Sequence, residues 1–139
     1  MLVRENQLTP RHFHWHKRED IINRGGGNLV IEIIKADPGG NCLCGGDFDI
    51  SVDGIRRTMS SGDKLILTPG ESACMENFHA HLFYGEPGSG NVMVGEVSMV
   101  NDDSSDNCFI DGAIRFDPIV EDEEPRYLLA CEYKKFIDQ

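Results

Sequence analysis

The chain has 139 residues and a formal net charge of −11, with 13 basic side chains against 24 acidic ones. That balance argues against nucleic acid and anionic membrane surfaces as partners, because both reward Lys and Arg. No apolar run approaches the roughly 20 residues a membrane helix needs, and the first residues lack the basic-then-apolar pattern of an export signal. A chain of this length reads as one domain that needs no disulfide staples. The five cysteines are odd in number and irregularly spaced, which predicts reduced thiols in a cytoplasmic protein. Cys42-Leu43-Cys44 has no second cysteine pair and reads as loop or packing residues.

Residues 1–9 are polar and patternless and read as an N-terminal arm. The segment His12-Phe13-His14-Trp15-His16-Lys17-Arg18-Glu19 follows. Side chains alternate along an extended strand, so His12 and His14 share a face and can share one metal ion. Glu19 adds a carboxylate oxygen after a bend, and two imidazoles with a carboxylate suit a borderline divalent metal. The same bend leaves His16 near the mouth or on the surface. Asn23-Arg24-Gly25-Gly26-Gly27 predicts a turn, and Leu29 to Ile34 a β-branched strand.

Phe48, Ile50 and Val52 alternate with polar residues up to Asp53-Gly54, beyond which Ile55 to Met59 returns. Asp-Gly between alternating strands predicts a two-residue hairpin. Turns at Gly62-Asp63 and Pro69-Gly70 bracket a strand at Lys64–Leu67. Strands are then expected at Ser72–Met75, Phe78–Tyr84, Val92–Val100 and Tyr127–Cys131. Turn signals every eight to twelve residues, with short strands between them, predict an all-β sandwich or barrel with little helix. The acidic run Glu121-Asp122-Glu123-Glu124 reads as a solvated loop.

A His-x-His, a later Glu and a returning strand with a further His resemble the cupin double-stranded β-helix, a jelly-roll barrel. The spacing of the first cupin motif falls on His12, His14, Glu19 and Gly26. That of the second, counted from Gly70, falls on Glu76, Phe78, His81 and Gly85. It selects His81 as fourth ligand, with Glu76 and Phe78 where the motif has Pro and Gly. His79 has the same facing parity and stays open as the rival ligand. Three imidazoles and one carboxylate differ from the thiolate-rich set of a structural zinc site and leave open positions for a substrate. Residues 10–133 form the expected cupin domain and 134–139 a C-terminal tail.

A longer set of segments is similar to the D-lyxose isomerase family. It comprises His12 to Trp15 with Lys17 to Gly27, and Gly95 to Asp103. Shorter pieces are Pro69-Gly70-Glu71-Ser72, His81-x-Phe83-x-Gly85-Glu86, Asp106-Asn107, Arg115-Phe116 and Glu121-Asp122-Glu123. The resemblance implies an aldose–ketose isomerase acting on D-lyxose and D-xylulose, and often on D-mannose and D-fructose, and the cupin likeness makes a homodimer the expected assembly. It implies a divalent metal, manganese first, with zinc, iron, cobalt and nickel as alternatives. It also implies a substantial further region before the histidine strand, most of which this sequence lacks.

Within that frame Glu96 is the expected proton-transfer base, and Lys17 the cation that steadies a substrate oxygen. Asp106 and Arg115 are expected at sugar hydroxyls, and Phe83 with Tyr84 as an aromatic wall. A second reading is a non-catalytic, shortened cupin that binds a metal or a sugar-like ligand.

Overall fold

The computed structural model describes residues 1–39, 43–100, 102, 105–110, 112, 120, 122–124, 126–128 and 133. Its strands are β1 (Leu2–Val3), β2 (His12–His14), β3 (Glu19–Gly26), β4 (Leu29–Ala36), β5 (Leu43–Cys44), β6 (Asp47–Val52), β7 (Ile55–Ser60), β8 (Lys64–Leu67), β9 (Ser72–Met75), β10 (His79–Gly85), β11 (Val92–Ser98) and β12 (Asn107–Phe109). No helix occurs among the described residues, so none there is long and apolar enough to cross a membrane.

Two six-stranded sheets form a cupin-like β-barrel. The first has the order β1-β11-β3-β9-β6-β7, and the second β12-β2-β10-β4-β5 with β8 also paired to β4. Among the described residues, each pairing between these strands is antiparallel. Alternation places one apolar face of each sheet inward. Ile21, Ile50, Val52, Ala73, Met75 and Val94 of the first sheet meet Leu29, Ile31, Ile33, Leu65, Leu67 and Phe83 of the second in one buried cluster. Each of the larger side chains among them contributes up to about 1.5–3 kcal/mol when fully buried. A smaller cluster on the back of the second sheet joins Phe13, Ala36 and Ala80 to the partly buried Trp15 and Phe78.

The hairpin expected at Asp53-Gly54 is present. Both residues have positive φ, 50° and 78°, and Val52 pairs with Ile55 across the turn. The turn expected at residues 23–27 is displaced, because β3 continues to Gly26. Gly26 has φ 95°, and a Cβ there would come 2.1 Å from the Asn91 carbonyl oxygen. The glycines therefore serve a close strand approach as well as the reversal. Buried Asn23 secures the bend: its amide nitrogen donates to the carbonyls of Leu67 and Gly27.

Other features were not read from the sequence. Leu2–Val3 pairs with β11 and buries Val3, so the first residues join the sheet. Asn107–Phe109 extends the histidine strand's own sheet. Within the expected strand at 127–131, Tyr127 and Leu128 are described and lie outside any strand. Cys42, Arg115, Cys131 and the tail at 134–139 fall outside the described residues.

Candidate metal and sugar site

β2 carries His12 and His14 on the inward face, and it pairs with β10 so that His12 and His81 are register partners. The rings of His12 and His81 lie 4.6 Å apart, those of His12 and His14 5.1 Å, and those of His14 and His81 6.3 Å. After His14 the chain bends at Trp15 and His16 and crosses to the other sheet, where β3 begins with Glu19. His16 is left exposed by the bend. Glu19 is buried and directs Oε1 between the imidazoles, 3.0 Å from His81 Nε2 and 3.4 Å from His14 Nε2. His12, Glu19 and His81 each offer a ligand atom within 4.8 Å of the others.

The proton on each imidazole is placed by the main chain. Nδ1 of His12 donates to the Pro10 carbonyl at 2.9 Å, that of His14 to Asp106 at 2.9 Å, and that of His81 to His79 at 2.8 Å. A carbonyl can only accept, so each ring in its neutral form keeps the proton on Nδ1 and presents a bare Nε2. The buried Nε2 atoms of His14 and His81 make no hydrogen bond of acceptable geometry despite their closeness to Glu19. A buried polar atom without a partner is costly, and a cation among these nitrogens would remove that cost. Oriented imidazoles, orphaned nitrogens and a convergent carboxylate fit a divalent metal.

The electrostatics place a neutral His12 beside an ionised Glu19. Burial, reinforced by neighbouring His81, lowers the pKa of His12 to about 4. Burial alone would raise the Glu19 carboxyl, but His14, His81 and Lys17 more than offset it and hold it far below the usual range. Lys17 Nζ stands 2.7 Å from Glu19 Oε2 and 3.1 Å from Glu96 Oε1. Burial works against the Lys17 charge, yet the two carboxylates raise its pKa overall, so it is protonated at neutral pH.

Around this cluster lies a cavity of about 280 Å³, lined by the three histidines, Lys17, Glu19 and Glu96. Thr9, Phe83, Asn107 and Phe109 also line its wall, together with Met1, Pro10 and Ile21. Glu96, on β11 of the first sheet, leaves its side chain half exposed at the cavity. His79, the rival ligand, faces the interior but packs its ring 4.9 Å from Phe48 and accepts the Glu76 amide on Nδ1. Tyr84 lies on the other face of β10, where its hydroxyl accepts from Lys64 at 3.2 Å. Asp106, expected at a sugar hydroxyl, accepts the His16 and Lys17 amides at 2.8 and 2.9 Å and does not line the cavity. Phe109, whose ring lies 5.5 Å from His12, was not anticipated, since no periodic pattern marks β12 as a strand.

A cupin-like barrel with a histidine–glutamate cluster at its open seam defines the class of protein. The chain belongs to the D-lyxose isomerase family, whose model matches residues 1–133. It is 51% identical over 137 residues to a protein of Serratia proteamaculans named D-lyxose/D-mannose isomerase, a match covering 99% of this chain and 60% of that protein. A protein of the same name from Escherichia coli O157:H7 is 48% identical over 136 residues, covering 98% and 60% respectively. The chain thus spans about three-fifths of the length of these relatives.

Proposed function

We propose that this protein is a metal-dependent aldose–ketose isomerase that interconverts D-lyxose with D-xylulose, and D-mannose with D-fructose. The observation that carries the reading is the convergence of three backbone-oriented imidazoles and Glu19 beside a Lys17–Glu96 pair, in a cavity open to solvent. His12, His14, Glu19 and His81 would hold the metal, with manganese the first choice. When bound, that ion supplies Lewis-acid polarisation of a carbonyl and its neighbouring hydroxyl.

The chain's own groups do the rest. Glu96 reaches the cavity with a carboxylate able to take a proton from one sugar carbon and return it to its neighbour through an enediol. Lys17, held between Glu19 and Glu96, brings a positive charge to the side where an enediolate oxygen would form. Phe83 and Phe109 give apolar flanks to a sugar ring or open chain. Asn107 offers polar atoms at the same wall. In this reading the protein binds a small sugar and works as a homodimer in the cytoplasm.

The direct test is ketose formation from D-lyxose and D-mannose by manganese-reconstituted protein. Product accumulation supports the proposal. Saturable metal and sugar binding without product, across a panel of pentoses and hexoses, favours instead a non-catalytic member of the family.

A further inference from the structure

We infer that Asp106 is a positioning residue, which sets His14 and Lys17 toward the cavity from behind. This rests on the proposed roles of those two residues. Between His14 and Glu19 the chain leaves one sheet and joins the other. Main-chain amides at such a corner have no ladder partners of their own, and buried ones need acceptors. Asp106 supplies them, taking the His16 amide on Oδ1 at 2.8 Å and the Lys17 amide on Oδ2 at 2.9 Å. Its own carbonyl takes the His14 Nδ1 proton at 2.9 Å. Asp106 is itself held, its amide donating to the Asp102 carbonyl at 2.9 Å, and the next residue, Asn107, is the register partner of His14.

One buried residue, 5% exposed, thus fixes the ring that begins the corner and the main chain of the lysine inside it. Its carboxylate faces amides rather than the cavity, so it acts through other residues and not on a sugar. Hydrogen bonds to an ionised acceptor are about twice as strong as neutral ones, which gives the corner a firm anchor. His12 and His81 are oriented by other carbonyls, those of Pro10 and His79. They therefore serve as internal controls.

The test compares wild type, Asp106→Ala and Asp106→Asn, using nitrogen-correlated NMR of the histidine rings in metal-free protein and calorimetric titration with Mn²⁺. Asp106→Ala keeps the carbonyl that holds the His14 proton but strips the His16 and Lys17 amides of their acceptors, so the His14 ring signals are expected to shift as the corner moves relative to that carbonyl, while those of His12 and His81 stay. Manganese affinity should fall roughly ten- to hundredfold, the range expected when an outer support of a metal ligand is removed. Asp106→Asn keeps an acceptor for one amide, so it should lie between wild type and Ala, and it is the deciding variant if Ala does not fold. Unshifted His14 ring signals, or affinity within about twofold of wild type against that expected range, overturn the inference. If wild type itself binds no Mn²⁺, the metal reading has failed, and the ring signals alone decide the role of Asp106.

Discussion

The amide of Phe78 donates to the carbonyl of His14 at 3.2 Å, although Phe78 has a left-handed backbone with φ 63°. This is the position where the cupin motif has glycine. Left-handed φ costs a residue with a Cβ about 1–2 kcal/mol. Phe78 recovers that through its ring, whose centroid lies 5.9 Å from both Phe13 and Trp15. Asn77 Nδ2 adds a bond to the Trp15 carbonyl at 2.8 Å. The turn that leads to His81 is thereby tied to the segment that carries His14.

Phe78 consequently gives a clear ordering of stabilities. Phe78→Ala loses the ring and keeps the unfavourable φ, whereas Phe78→Gly loses the ring alone. Gly should be more stable than Ala by about 1 kcal/mol, and both less stable than wild type. Urea unfolding measures this. An Ala variant as stable as the Gly variant would show that the left-handed backbone carries no cost here.

The histidines separate by metal content. His14→Ala and His81→Ala each remove a bare Nε2 from the cluster and should abolish stoichiometric Mn²⁺ binding. His79→Ala removes a ring that packs on Phe48 and should retain it, with reduced stability. Elemental analysis after reconstitution and dialysis reads all three. Undiminished metal in His14→Ala would take His14 out of the site.

Glu96 and Lys17 separate from the ligands by kinetics. Glu96→Gln should keep metal and lose turnover by roughly 100-fold or more, the usual weight of a positioned base. Lys17→Met takes a cation from between two carboxylates, so it should impair both turnover and the placement of Glu19. Ketose formation alongside metal content distinguishes the two patterns. Glu96→Gln at wild-type turnover would remove Glu96 as the base.

Acid should destabilise the metal-free protein in a defined window. His79 has its pKa lowered from 6.5 to about 4 by burial, with His81 and Lys35 adding to the effect. The unfolded chain therefore binds a proton at His79 that the folded one excludes. Stability is full above about pH 6.5 and falls toward pH 4, by at most about 1.4 kcal/mol per pH unit for this one residue. Glu19, lowered in the fold, adds its own loss below its unfolded value. Denaturation curves at several pH values test this, and His79→Gln should flatten the upper part of the window.

Local chemistry made much of this legible in the sequence. Alternation put His12 and His14 on one face, and Asp53-Gly54 announced a hairpin whose φ values it matches. Recurrent turn residues gave the all-β class. What escaped depends on contacts between distant segments. Lys17 meets Glu96 only because β3 and β11 pair, with Glu96 opposite Ile21. The carboxylate of Asp106 could not be assigned to amides at 16 and 17 without knowing that a corner stands there. Gly26 and Gly27 read as part of a turn because their role in admitting Asn91 and Ser89 is set by the distant segment that leads into β11.

The cavity also lies on the seam between the two sheets. His12, His14 and His81 belong to one, and Glu19 and Glu96 to the other. An ion shared by the imidazoles and Glu19 would therefore act as a rivet through the barrel wall. Either sheet could then open only after the ion left, so amide hydrogen exchange in β2 and β3 should slow together as the ion is added. The gain in free energy would follow the logarithm of its concentration above the dissociation constant.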